Sequence, residues 1–141
     1  MKIPDVNVLL AAADDGSVFR TRAADWLAPA LQGREPVGFA WSVILGFIRI
    51  GTNPRVFASP LTVTGASRRV SQWMEAGCAR VVEPGPGHVE RVVGLLEAVG
   101  SAGNLVTDAH LAALAMENDG EVVSFDRDFA RFPGLRWSIP A

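Results

Sequence analysis

The sequence predicts an α/β fold in which a short, mostly parallel central sheet carries helices on both faces. Brief runs rich in β-branched residues, such as KIPDV, VGF, RVV and EVVS, are separated by longer stretches with helical periodicity. Short strands alternating with helices favour parallel pairing. The 141 residues contain no repeat, no low-complexity tract and no linker, and 49% of them are hydrophobic, so one domain over residues 1–141 with a sizeable core is expected.

Each element has its own signal. Strand one is read near Lys2–Val6, with a helix from Asn7. After the Asp14-Asp15-Gly16 turn, a second helix over about Ser17–Leu31 places Phe19, Ala23, Trp26 and Leu27 on one face. Gln32-Gly33-Arg34-Glu35-Pro36 ends it, and a brief strand at Val37–Phe39 leads into a helix over Trp41–Ile50, with Ser42 as its cap and Gly51 as its close. The loop Thr52–Pro60 precedes a helix over about Thr62–Ala76 and a strand at Arg80–Val82. Pro84-Gly85-Pro86-Gly87 is a rigid turn into a helix at His88–Val99. A further helix over Thr107–Asn118, a strand at Glu121–Ser124 and a last strand near Leu135–Ser138 complete the chain.

Composition excludes several function classes. Cys78 is the only cysteine, so an internal disulfide and a cysteine-based zinc cluster are both ruled out, and a cytoplasmic location is the expectation. The run VNVLLAAA follows Asp5 and precedes Asp14 and Asp15, which does not suit a secretory signal, and no window approaches a membrane span. Lys2 is the only lysine among 13 cations, and neither G-x-x-x-x-G-K-[ST] nor G-x-G-x-x-G occurs. A phospho-acceptor receiver domain needs a lysine late in the chain and is excluded with them. His88 and His110 fit no zinc pattern and read as solvated surface side chains. The four tryptophans are dispersed and read as core. Net charge is −2, which does not exclude a nucleic-acid ligand, and arginine suits bidentate phosphate contact.

In parallel sheets ligands bind beyond the carboxyl ends of the strands, so acids there carry the chemical signal. Asp5 stands where strand one hands over to a helix, as a site acid or as that helix's N-cap. Asp108 lies in line with Leu111, Ala112 and Ala115 at helical spacing. It can serve the helix dipole, with Thr107 as cap, but its apolar face is then unexplained. Asp126 and Asp128 follow the strand that ends on Ser124, in VVSFDRDF, where turn chemistry is the alternative. Together Asp5, Asp108 and Asp126 can converge at one sheet edge, where a cation would neutralise their repulsion. Oxygen ligands of this kind suit Mg²⁺ or Mn²⁺ and metal-assisted phosphodiester hydrolysis. A haloacid-dehalogenase-type phosphatase would need Asp-x-Asp after strand one, where this chain has Asp5-Val6-Asn7.

DVNVLL, FIRIGTNPRVF and GNLVTDAHLAALAMENDGEVVSFDRDF occur in the order and spacing that resemble a PIN domain, and specifically the VapC toxins of bacterial toxin–antitoxin pairs. The resemblance spans essentially the full length and implies a PIN-like fold. It also implies a Mg²⁺- or Mn²⁺-dependent endoribonuclease that cuts single-stranded or loop regions of structured RNA, works as a homodimer and is blocked by a VapB-type antitoxin. By position, Asp5, Asp108 and Asp126 match the family's metal-site acids, with Asp128 as a further candidate ligand. Asn7 matches a polar residue beside the first acid, and Ser124 a site-orienting Ser/Thr. Many relatives carry glutamate before the Phe of the F-[IL]-R segment, and this chain has Gly46 before Phe47. Gly46 therefore marks either a vacated ligand position or a close helix contact. If the missing acid weakens metal binding, the alternative function is binding RNA or antitoxin without cleavage. Arg49 and Arg55, flanking Thr52-Asn53-Pro54, are the candidate phosphate contacts near the active edge.

Overall fold

The computed structural model describes residues 1–141. Five strands form one sheet: β1 (Lys2–Pro4), β2 (Val37–Ala40), β3 (Ala79–Val82), β4 (Glu121–Val123) and β5 (Arg136–Ser138). Their order is β3-β2-β1-β4-β5, and every pairing is parallel, as the alternation of strands and helices requires. The chain builds outward from β1 through β2 to β3, then returns to the other side of β1 for β4 and β5. The strand order thus reverses between β1 and β4, which is where open parallel sheets form their ligand crevice, beyond the carboxyl ends of the strands. Ladder bonds run one step past both strands: the Asp5 amide donates to the Val123 carbonyl at 2.9 Å and the Ser124 amide to the Ser138 carbonyl at 3.0 Å. Asp5 and Ser124 are therefore fixed side by side at the mouth of the crevice.

Six α-helices, α1 (Val6–Ala13), α2 (Arg20–Gln32), α3 (Trp41–Gly51), α4 (Val63–Met74), α5 (His88–Val99) and α6 (Val106–Glu117), complete the layers. Successive residues of β4 feed different cores, because side chains alternate along a strand. Val122 joins the main cluster with Ile3, Phe39 and Leu111, and Val123 joins a smaller one with Val8, Ala11 and Ala23. On α3, Val43, Ile44, Phe47 and Gly51 are buried at helical spacing, and Phe47 meets Trp73 of α4 edge-on at 4.8 Å. Gly38 is where β2 must stay bare: a Cβ there would lie 2.5 Å from Val82 Cγ2. Gly87 and Gly100 flank α5 with φ of 76° each, a left-handed geometry that glycine adopts without steric cost.

Several local readings are corrected. α2 begins at Arg20, not Ser17, because the Ser17 hydroxyl and carbonyl accept from the amides of Phe19 and Arg20 and hold these residues in a turn. Phe19 consequently leaves the face that buries Ala23 and Leu27 and is 42% exposed. Ser42 does not cap α3, since β2 runs straight into the helix and Ala40 occupies the cap position without a side-chain bond. Thr107 does not cap α6, because a 3₁₀ turn over Gly103–Leu105 starts the helix at Val106. A second 3₁₀ turn, Arg127–Arg131, follows β4.

Candidate active site

The N-terminus of α1, the first turn of α6 and the segment after β4 meet at the crevice between β1 and β4. Asp5 is buried, and its two oxygens have separate duties. Oδ1 accepts from the Val6 amide at 2.7 Å and so caps α1, while Oδ2 accepts from the Ser124 hydroxyl at 2.7 Å and the Asn7 side-chain amide at 2.9 Å. The N-cap reading is thus realised through Oδ1, while Oδ2 is turned toward Asn7 and Ser124. Asn7 also donates to Ser124 Oγ at 2.9 Å and accepts from the Phe125 amide at 3.1 Å. Ser124 Oγ in turn accepts from the Asp126 amide at 3.0 Å. Asn7 and Ser124 therefore bind the start of α1 to the segment that carries Asp126.

Asp126 accepts from the Asp128 amide at 2.8 Å and opens the second 3₁₀ turn, so the turn reading of this pair is correct for the backbone. Asp128 is exposed and stands 3.8 Å from Arg131. Asp108 lies in the first turn of α6, partly buried. Burial, reinforced by Asp5, Asp126 and Asp128, pushes its carboxyl up from the ordinary 3.8 to about 6. Burial also raises Asp5, against the hydrogen bonds from Ser124 and Val6, and Asp126 adds to the rise. Every charge acting on Asp108 is another acid, which is the condition that a cation would relieve.

The donor set of Asp5, Asp108 and Asp126, with Asp128 at its margin, consists of hard oxygens and contains no thiol or imidazole. Its chemistry fits a divalent cation such as Mg²⁺ or Mn²⁺. No three acids or histidines already stand in closed ligating geometry. Two clefts of about 630 and 650 Å³ lie elsewhere and contain none of these acids.

Two assignments look different in three dimensions. Arg49 and Arg55 take part in none of the ion pairs, which use Arg20, Arg91, Arg131 and Arg136. Neither is paired with Asp5, Asp108, Asp126 or Asp128. Arg55 precedes Val56 and Phe57, which line a cleft with Leu10 and Ala13 near the end of α1 remote from Asp5. The histidines are not solvated surface side chains. His88 bonds Glu117 through Nδ1 and His110 through Nε2, both at 2.8 Å, because α5 and α6 pack as a helical hairpin. Burial lowers His110, with His88 contributing. Sequence reasoning also passed over Arg127, an exposed cation between Asp126 and Asp128, and the aromatic pair Phe19 and Phe125.

The comparisons with known proteins agree with the fold. The PIN-domain profile matches residues 2–135. The chain belongs to the VapC family of PIN domains. Ribonuclease VapC37 of Mycobacterium tuberculosis is 44% identical over 140 residues, covering 99% of this chain and 97% of that protein. Ribonuclease VapC33 of the same species is 39% identical over 140 residues, covering 99% and 98%. Among solved structures, VapBC2 from Rickettsia felis, bound to a promoter DNA fragment, superposes with a TM-score of 0.70 at 12% identity, covering 98% and 97% of the two chains. VapC20 of M. tuberculosis, described as a toxin cleaving the sarcin-ricin loop, does so at 0.70 and 16%, covering 96% and 99%. No helix here is long and apolar enough to cross a membrane.

The acid cluster carries a pH dependence that can be measured without metal. Asp108 binds its proton more tightly folded than unfolded, so its stabilising contribution is complete below about 3.8 and is lost as pH rises through about 6. His110 works in the opposite direction: its contribution is present above about 6.5 and lost as pH falls. Thermal melts of Asp108→Asn and the parent in EDTA isolate the first effect. The melting advantage of the variant is expected to widen between about pH 4 and about pH 6 and to level off above it, and a constant gap would contradict the shift.

Proposed function

We propose that this VapC-family chain is a metal-dependent endoribonuclease, the toxin of a VapBC-type pair, with Mg²⁺ or Mn²⁺ as its ion. The observation that carries the proposal is the bonding at the switch point, where Ser124 and Asn7 tie Asp5 to the segment of Asp126, with Asp108 on the first turn of α6. Asp5, Asp108 and Asp126 would hold the ion, with Asp128 reaching it from the turn. When bound, the ion would activate a water and offset charge on the phosphoryl oxygens. The residues supply placement. Ser124 and Asn7 fix Asp5 Oδ2, and the same serine holds the Asp126 amide, so both carboxylates stay in register beside the substrate.

The named relatives support RNA as substrate, and the VapBC2 complex supports a VapB-type antitoxin as partner. The functional unit we propose is a cytoplasmic homodimer. The test is cleavage of a structured RNA with Mg²⁺, with Mn²⁺ and with EDTA. Cleavage that requires either ion supports the reading. RNA or antitoxin binding without cleavage would favour the alternative, a PIN domain that binds only, as the loss of a glutamate at Gly46 suggests.

Arg49 and Arg55 enter as the proposed phosphate contacts near the active edge. Arg49→Ala and Arg55→Ala are each expected to weaken single-stranded RNA binding and to reduce the slope of log K against log salt by about 1. Unchanged binding at both low and high salt would remove them from the interface.

A further inference from the structure

Phe125 lies between Ser124 and Asp126, and its backbone amide donates to Asn7 Oδ1, which fixes the main chain that carries its ring. Phe19 stacks on that ring with centroids 4.5 Å apart and planes 23° from parallel. The Arg22 guanidinium stands 5.6 Å from the Phe125 centroid and is itself fixed, with Nε and Nη2 donating to the Pro140 carbonyl at 3.1 and 2.8 Å. Phe19 belongs to neither hydrophobic core. One face of its ring is covered by Phe125, and the residue is nevertheless 42% exposed.

A phenyl ring that closes no core, held flat on the ring of the residue between Ser124 and Asp126, has the properties of a base-stacking surface. Aromatic rings accept any base because every base has a π-face, and they need no hydrogen-bond code. We propose that Phe19, backed by Phe125 and Arg22, is the stacking platform for one unpaired base of single-stranded RNA next to the scissile phosphate. The proposal rests on the ribonuclease reading. It assigns Phe19 to affinity and register: the stacked base would fix which phosphate lies over Asp5 and Asp126. Because a stacked base requires an unpaired nucleotide, the platform would also favour loops and single strands over duplex.

The test measures binding of a short, mixed-sequence 2′-O-methyl oligoribonucleotide to the full chain in EDTA by fluorescence anisotropy. Phe19→Ala is expected to lower affinity roughly 5- to 150-fold, the range for losing one base–aromatic stack. The salt slope should stay unchanged, because no phosphate contact is lost. Phe19→Trp should bind at least as tightly as the parent, and both variants should melt near the parent temperature because Phe19 lies outside the core. An oligonucleotide with one abasic position, moved along the strand, should reveal one site where the loss matches that of Phe19→Ala and is not additive with it. Equal binding by Phe19→Ala and the parent overturns the platform, as does a Phe19→Trp loss as large as that of alanine. If the parent itself neither binds the oligonucleotide nor cuts RNA, the ribonuclease reading falls and the platform with it.

Discussion

Asp108→Asn is expected to slow RNA cleavage by at least about a hundredfold while raising the melting temperature of the metal-free protein at neutral pH. The loss of rate follows from removing an anionic oxygen from the proposed ion site, since groups that only orient metal ligands already contribute about 10–100-fold. The gain in stability follows from the surroundings of Asp108. Burial and three neighbouring acids all disfavour its charge, and nothing opposes them. A neutral amide of the same shape relieves that cost. Asp5→Asn should lose activity to the same extent, but its stability should change in the other direction. Both oxygens of Asp5 are acceptors, from Val6, Asn7 and Ser124. An amide would turn one of them into a donor facing a donor, which costs about 1–3 kcal/mol. Thermal melts in EDTA beside a cleavage assay separate the two variants. An Asp108→Asn protein that cuts as fast as the parent, or melts below it without metal, would sink the shared-ion reading.

This difference between two aspartates shows what the sequence could and could not carry. Periodicity placed Asp108 on a half-buried face of α6, and the strand-end positions of Asp5 and Ser124 follow from parallel topology alone. These are properties of single elements and of their order. The network around Asp5 requires Asn7 and Ser124 to meet across the sheet, which depends on the register between β1 and β4. The histidine pair was missed for the same reason: His88 and His110 are joined only by the packing of α5 on α6. Phe19 was misplaced because one local competitor, the Ser17 turn, delays α2 and releases the ring from the core face. Helix periodicity extrapolated through that turn assigns Phe19 a face it never occupies.

Gly46→Glu tests whether the family's missing acid can be restored. The close-contact account of Gly46 loses its main support in the structure. A Cβ there would lie 3.5 Å from Val6 Cγ2, an ordinary van der Waals distance, and nothing else but Val6 Cβ at 4.0 Å is near. Val6 follows Asp5 and opens α1, so position 46 of α3 faces the helix start that the site acid caps. A glutamate would therefore begin from unobstructed backbone beside the residue that follows Asp5. Three melts then discriminate. Gly46→Ala should gain roughly 0.5–1 kcal/mol from helix propensity alone, with or without Mn²⁺. Gly46→Glu should melt below Gly46→Ala in EDTA, because a further carboxylate joins an uncompensated cluster, and above it in Mn²⁺, because the charge count of a site governs its affinity for hard cations. Calorimetry should show Mn²⁺ binding about tenfold tighter than in the parent, accompanied by faster RNA cleavage. If Gly46→Glu is destabilised equally with and without Mn²⁺ and binds the ion no better, position 46 does not face the metal site, and the glycine was never a vacated ligand.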